Sequence, residues 1–255
     1  MLLAVDIGNT NITFGIFEGE RLRTTWRMAT DVNRMADEYA ALLLNLLHHR
    51  DIDASSIKDI ALCSVVPPLT TTFVDLSQRY FSTMPLVVGA GVKTGVRIRM
   101  DNPREVGADR IADAAAAHHL YGGPVIIIDL GTATVFGIVS KEGDYIGGII
   151  ATGIATAAEA LFTRTAQLPR VELAHPKCVI GTNTVTAIQS GIIYGYASLV
   201  EGMLARIERE LGEKAKVVAT GGYAELIARE IAVIDEVNPD LTLIGLRLLY
   251  LMNKV

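Results

Sequence analysis

Two short segments of the sequence carry the same chemistry. Asp6-Ile7-Gly8-Asn9-Thr10 follows an apolar run at residues 2–5, and Asp129-Leu130-Gly131-Thr132 follows another at residues 125–128. Each sets a carboxylate at the end of a strand-like run and then makes a D-x-G-[NT] turn, whose backbone amides and hydroxyl can face a phosphate. One such turn is as readily an ordinary connection between two strands. Two copies favour the functional reading, because opposed loops can clamp a polyphosphate and its cation from both sides. Phosphoryl transfer is catalysed mainly by that kind of positioning and charge neutralisation. A third segment, Thr220-Gly221-Gly222-Tyr223-Ala224, follows the apolar run that ends at Ala219. Its paired glycines let a flat ligand approach the backbone closely, although alone they read equally well as a strand-to-helix turn.

Between the two D-x-G turns stands Gly107-Ala108-Asp109-Arg110, at the start of an alanine-rich stretch. Asp109 there is a favourable first-turn carboxylate for a helix. It is equally a candidate general base, since a positioned ionised carboxylate can accept the proton of a substrate hydroxyl. Both roles can hold at once. Arg110 is either a solvated surface charge or a guanidinium fork suited to a substrate carboxylate.

The elements that must hold these residues are legible as a weak repeat. In both copies the D-x-G turn leads into a second apolar run, at residues 12–17 and 135–139, as a hairpin requires. Helical spacing spans residues 37–49, 109–121 and 184–211, and strand-like runs recur at 60–65, 86–88 and 217–219. Interleaved strands and helices in two similar halves imply an α/β protein of two lobes with a cleft between them. The expected lobes are residues 1–115 and 116–255. Residues 145–162 are the most membrane-like stretch, but glycines, threonines and Glu159 interrupt them, so they are expected to be buried core.

Composition narrows the partners. Half of the 255 residues are apolar, a fifth are charged, and the formal net charge is -5, which argues against a non-specific nucleic-acid binder. Cys63 and Cys178 lie far apart, outside any metal-ligand or disulfide pattern, which suits a reducing cytoplasm. The run before Asp6 is too short for a signal peptide. His48, His49, His118, His119 and His175 are adjacent pairs or loop residues, so solvated or capping roles are expected rather than metal ligation.

The three turn motifs, in this order, resemble the phosphate-1, phosphate-2 and adenosine motifs of the actin, Hsp70-chaperone and sugar-kinase superfamily. Nearly end to end, the chain resembles type III pantothenate kinases. It carries Gly91-Val92-Lys93-Thr94-Gly95, a run from Asp101-Asn102-Pro103 to Asp109-Arg110-Ile111, Gly147-Gly148-Ile149-Ile150-Ala151, and Ile180-Gly181-Thr182-Asn183-Thr184. The resemblance implies two actin-like (ribonuclease H-like) lobes with ATP in the cleft, and transfer of its γ-phosphoryl group to pantothenate. It implies that Asp6, Ile7, Gly8, Asn9, Thr10, Asn11, Ile12 and Thr13 line the ATP site together with Thr132, Gly221 and Gly222. Asp129 would help hold a monovalent cation, K⁺ or NH₄⁺, beside the Mg²⁺ that accompanies ATP. Met100, Gly107, Ala108, Asp109, Arg110 and Thr184 would meet pantothenate, with Asp109 as the base. Thr184 also opens a helix and reads as a cap. Three positions depart from the family pattern: Ala90 and Thr152 replace proline, and Met100 replaces a tyrosine, exchanging a phenolic hydrogen bond for a thioether. Asp113, where asparagine is common, adds a carboxylate one helical turn beyond Asp109. A homodimer is implied too, built on the helix from Thr184 to Leu211, where Gly191 and Gly195 stand one turn apart near Tyr194, Tyr196, Leu199 and Met203. Two glycines inside a helix, each costing about 0.5–1 kcal/mol, call for a compensating contact, either internal or with a partner. The other readings are a kinase for a different small alcohol and a catalytically weak, ligand-binding homologue.

Overall fold

Each apolar run closes on itself as a hairpin in the computed structural model, which describes residues 1–254. In the first half, β1 (Leu2–Ile7) pairs antiparallel with β2 (Asn11–Glu18), bringing Asp6 opposite Thr13. Strand β3 (Arg21–Ala29) extends the hairpin, while β4 (Asp59–Ser64) and β5 (Leu86–Val87) add in parallel on the other side. The sheet order is β3-β2-β1-β4-β5. The second half repeats it with β6 (Val125–Leu130), β7 (Ala133–Val139), β8 (Tyr145–Thr152), β9 (Lys216–Thr220) and β10 (Glu236–Val237), in the order β8-β7-β6-β9-β10. The strands that deliver the two aspartates, β1 and β6, are central in their sheets. Their leading residues are all buried and do not alternate, as expected where helices cover both faces.

The chain forms two compact units. In the first, α1 (Ala36–His48) and α2 (Pro67–Phe81) cover one face of the sheet over Leu3, Val5, Phe14, Tyr39, Leu43 and Phe73. The opposite face is covered by α3 (Ala108–Tyr121) and α7 (Leu241–Asn253), over Leu2, Ala4, Ala61, Cys63, Ala112 and Leu246. The alanines of α3 let α7 come very close: a Cβ on Gly245 would sit 2.0 Å from the Ala112 carbonyl oxygen. Thr242 Oγ1 also donates to Asp113 Oδ1 at 2.7 Å. The second unit, Ala117–Asp240, carries α4 (Ile154–Arg164), α5 (Thr184–Leu211) and α6 (Ala224–Ala228), and α5 lies along a core that includes Ile126, Ile128, Phe136 and Ile192.

Two expectations differ from this arrangement. The second lobe was expected to run over 116–255, but α7 packs in the first unit, because Leu243, Leu246 and Leu249 bury on the β1 side of that sheet. Residues 145–162 are not continuous core. Strand β8 has a single neighbour, β7, and Ile150 and Phe162 are 65% and 40% exposed. No described helix is long and apolar enough to cross a membrane.

Candidate active site

In the first unit, Thr30 shapes the D-x-G turn. Its hydroxyl donates to the Gly8 carbonyl at 2.7 Å and its amide to the Thr10 carbonyl at 2.9 Å. Gly8 N–H closes the turn on Asn11 O at 3.0 Å, leaving Asn9, Thr10 and Asn11 exposed at the tip. Ile7 and Ile12 are fully buried, so of the expected ATP-lining run these two offer backbone only, while Asp6 and Thr13 are half-buried.

The Gly107-Ala108-Asp109-Arg110 segment forms the entrance to α3, and all four residues are half-buried. Asp109 Oδ1 accepts the Arg110 N–H at 2.8 Å. A Cβ on Gly107 would lie 2.3 Å from that same oxygen, so glycine at 107 is what lets the carboxylate adopt this position. The Arg110 guanidinium donates to the Glu105 carbonyl at 3.2 Å, in a 3-10 turn (Pro103–Glu105) that Asn102 caps. Arg110 is thus anchored and not freely solvated. Met100 is half-buried just before that turn. Asp113 is buried and faces α7 through Thr242.

The buried Cys63 thiol lies beside Asp6. Its Sγ is 3.2 Å from Asp6 Oδ1. Burial first, and then the charges of Asp6, Asp109 and Asp113, push the thiol well above its ordinary range, so it is a neutral donor beside carboxylates.

In the second unit, Asp129 occupies the position on β6 that Asp6 occupies on β1. Its carboxylate lies over two glycines: a Cβ on Gly131 would come within 3.2 Å of Oδ1, and one on Gly221 within 2.3 Å. Gly221 also has φ +91°, which side-chain-bearing residues rarely adopt. Gly131 N–H closes its turn on Ala133 O, and Tyr223 N–H donates to Leu130 O, so the Gly221-Gly222 turn is stitched to the second D-x-G turn. Thr132 is exposed, and its carbonyl accepts from Thr156 Oγ1 at 2.9 Å. The hydroxyl of Thr134, fully buried one residue past the start of β7, has no hydrogen-bond partner. Thr184 is exposed at the start of α5, but Asn183 is the cap and accepts the Thr186 N–H at 3.0 Å. The capping role expected of Thr184 therefore belongs to its neighbour. His175, expected to be solvated or capping, pairs with Glu230 at 2.6 Å.

Sequence reading missed Thr30, Thr156 and the Asp6 contact of Cys63. Only the D-x-G repeat pointed towards them, since each acts through register or a distant loop. The donor set fits Mg·ATP. Each unit by itself offers a half-buried carboxylate at a strand end and an exposed threonine at the turn tip, hard oxygen donors of the kind that suit Mg²⁺ alongside phosphates and water, and its glycines leave room for close approach.

Duplicated sheets of one order, each presenting an aspartate and a glycine turn at the end of its first strand, define an actin-like phosphotransferase fold. An inorganic polyphosphate/ATP-glucomannokinase from Arthrobacter sp. strain KM shares that fold, with a TM-score of 0.53 over 99% of each chain at 14% identity. A family model described as type III pantothenate kinase matches residues 2–206. A type III pantothenate kinase of Dehalococcoides mccartyi (strain CBDB1) is 59% identical over 254 residues, covering 100% of this chain and 97% of that protein. One from Moorella thermoacetica is 52% identical over 253 residues, covering 99% of this chain and 100% of its own. The chain belongs to the type III pantothenate kinase family, whose reaction is the ATP-dependent phosphorylation of pantothenate to 4'-phosphopantothenate, the first step of coenzyme A synthesis.

Proposed function

We propose that Asp109 is the general base of this reaction, accepting the proton of the pantothenate hydroxyl as it attacks the γ-phosphorus of ATP. The observation that carries the reading is that glycine at 107 makes room for the Asp109 carboxylate at the entrance to α3, the helix that covers the sheet face on which Cys63 meets Asp6. Arg110, held by Glu105, is oriented to take the pantothenate carboxylate, with Gly107, Ala108, Met100 and Thr184 completing the substrate contacts. Met100 supplies apolar contact where a phenol would hydrogen-bond. Asp6, Gly8, Asn9, Thr10, Asn11 and Thr13, with the backbone of Ile7 and Ile12, meet ATP from one turn, and Thr132, Gly221 and Gly222 meet it from the other. Mg²⁺ bound with the nucleotide neutralises phosphate charge. Asp129 holds a monovalent cation, K⁺ or NH₄⁺, and the enzyme works in the cytoplasm. ADP formation measured with and without pantothenate, in potassium and in sodium buffer, tests these assignments. Turnover is expected only with pantothenate and to be faster in potassium, and Asp129→Asn is expected to blunt the potassium effect. Turnover with other alcohols but not pantothenate would change the substrate, and wild-type rates equal in both salts would remove the cation from Asp129.

The same reading includes a homodimer built on α5. Gly191, Gly195 and Gly202 lie with Ala187 and Ser198 on one exposed face, and a Cβ on any of these glycines would meet no atom within 4 Å. Packing inside the chain therefore does not explain them, which favours a partner helix as the compensating contact. Of the large side chains expected to anchor the partner, Tyr194 is half-buried and donates to the Pro176 carbonyl at 3.2 Å, while the other three turn the other way. Tyr196 is buried in its own unit and donates to the Thr152 carbonyl at 2.7 Å, and Leu199 and Met203 pack against the same core. Apolar surface open to a partner near the start of α5 includes Val179, Ile180 and Val185, at 65%, 83% and 42% exposure. Sedimentation at micromolar concentration is expected to give one species of twice the chain mass, with Gly195→Leu shifting it towards monomer. A fully active, monodisperse wild-type monomer would refute the dimer.

A further inference from the structure

Strand β4 sets Cys63 beside Asp6 of β1 in parallel register, so both side chains leave the sheet on the same face. There, under α3, the thiol is fully buried and donates to Asp6 Oδ1 at 3.2 Å. The second sheet repeats the pairing. Asp129 of β6 stands beside Thr220 of β9, a residue that is also buried and also carries a proton to donate. In both neighbouring strands the apolar run, Ile60-Ala61-Leu62 in one and Val217-Val218-Ala219 in the other, is broken beside the D-x-G aspartate. At both positions the buried side chain that stands beside the aspartate carries a proton to donate, which the apolar residues before it do not.

We propose that Cys63 is a positioning residue for phosphoryl transfer, its S–H holding the Asp6 carboxylate in the orientation that meets the Mg·ATP phosphates. This rests on the assignment of Asp6 to the nucleotide site. A neutral donor suits the task, because it fixes one carboxylate oxygen without cancelling the charge that a cation and phosphates require. A lysine or arginine in that place would satisfy the carboxylate and compete with the cation.

Calorimetric titration with Mg²⁺ and a non-hydrolysable ATP analogue, alongside steady-state kinetics, tests the role. Cys63→Val fills the volume without a donor, and Cys63→Ser keeps a donor. The valine variant is expected to bind the analogue about tenfold more weakly and to lose kcat/KM for ATP to the same extent, as for a lost bond to a charged group. Its KM for pantothenate is expected to stay within about twofold of wild type, and the serine variant within about threefold in every parameter. In an Asp6→Asn background, Cys63→Val is expected to add less than about twofold, since the bonded pair is already broken. Wild-type analogue affinity in the valine variant would overturn the proposal. So would equal losses in the valine and serine variants, or a valine effect undiminished by Asp6→Asn. Cys63→Ala replaces the valine variant if the latter does not fold. A wild type that binds no analogue gives a distinguishable result, overturning the nucleotide assignment of Asp6 and the proposal with it.

Discussion

Asp109→Asn is expected to lower kcat by about 10²–10⁴-fold, the usual contribution of a general base, and to leave the fold intact. The exchange keeps shape and keeps an oxygen able to accept the Arg110 N–H, so the first turn of α3 loses no structural contact seen here. What it removes is the proton acceptor. The pantothenate KM should change far less than kcat, because a base acts in the transition state more than in binding. Circular dichroism and the thermal midpoint report the fold, and coupled ADP release reports the rate. A folded Asp109→Asn enzyme with near-normal turnover would take this residue out of the mechanism.

Gly221→Ala is expected to cost about 2–5 kcal/mol of stability in the second unit, combining a left-handed backbone with overpacking. At φ +91° any side chain is strained, and the added methyl would lie 2.3 Å from Asp129 Oδ1 and 2.7 Å from the Leu130 carbonyl carbon. The carboxylate can rotate away, but the backbone of β6 cannot, so relief must come from moving the Gly221-Gly222 turn. Asp129 and the expected adenosine-side glycines are then disturbed together. The urea midpoint should fall, and any surviving folded protein should bind an ATP analogue at least about tenfold more weakly. A variant with the wild-type midpoint and affinity would show that the turn has slack the structure does not reveal.

Much of the architecture was legible because the two hairpins announce themselves. Apolar runs, a D-x-G turn and a second apolar run recur about 120 residues apart, and the long α5 begins at Thr184 and ends at Leu211 as its periodicity predicts. Strand β3 is hard to read from sequence, because its alternation of Leu22, Thr24, Trp26 and Met28 is diluted by arginines and threonines. Helix α2 starts on Pro67-Pro68, which reads locally as a turn although proline suits a first helical position. Helix α7 was beyond reach for another reason. Its apolar residues predict burial, but nothing local says that the partner is a sheet built from the chain's first residues. The site divides in the same way. Asp6, Asp109 and Asp129 could be named from motifs, whereas the Cys63 contact follows from strand register and the Asn183 cap from side-chain geometry. Tyr196 shows the limit of reading a helix face from spacing alone: its hydroxyl turns inward to the Thr152 and Gly153 carbonyls.

The return of α7 to the first sheet makes the second unit an insertion within the first. During synthesis the whole inserted unit, with both strands of its D-x-G hairpin and its glycine turn, precedes the residues from Leu241 onward. The unit that carries Asp6 and Asp109 must wait. Until the residues from Leu241 onward emerge, one face of its sheet lacks Leu243, Leu246 and Leu249, and α3 lacks the helix that clamps it at Ala112 and Asp113. The residues that hold α3 from the opposite side thus follow the entire second unit in the chain, so the helix that starts at Asp109 is secured by a segment more than a hundred residues further on.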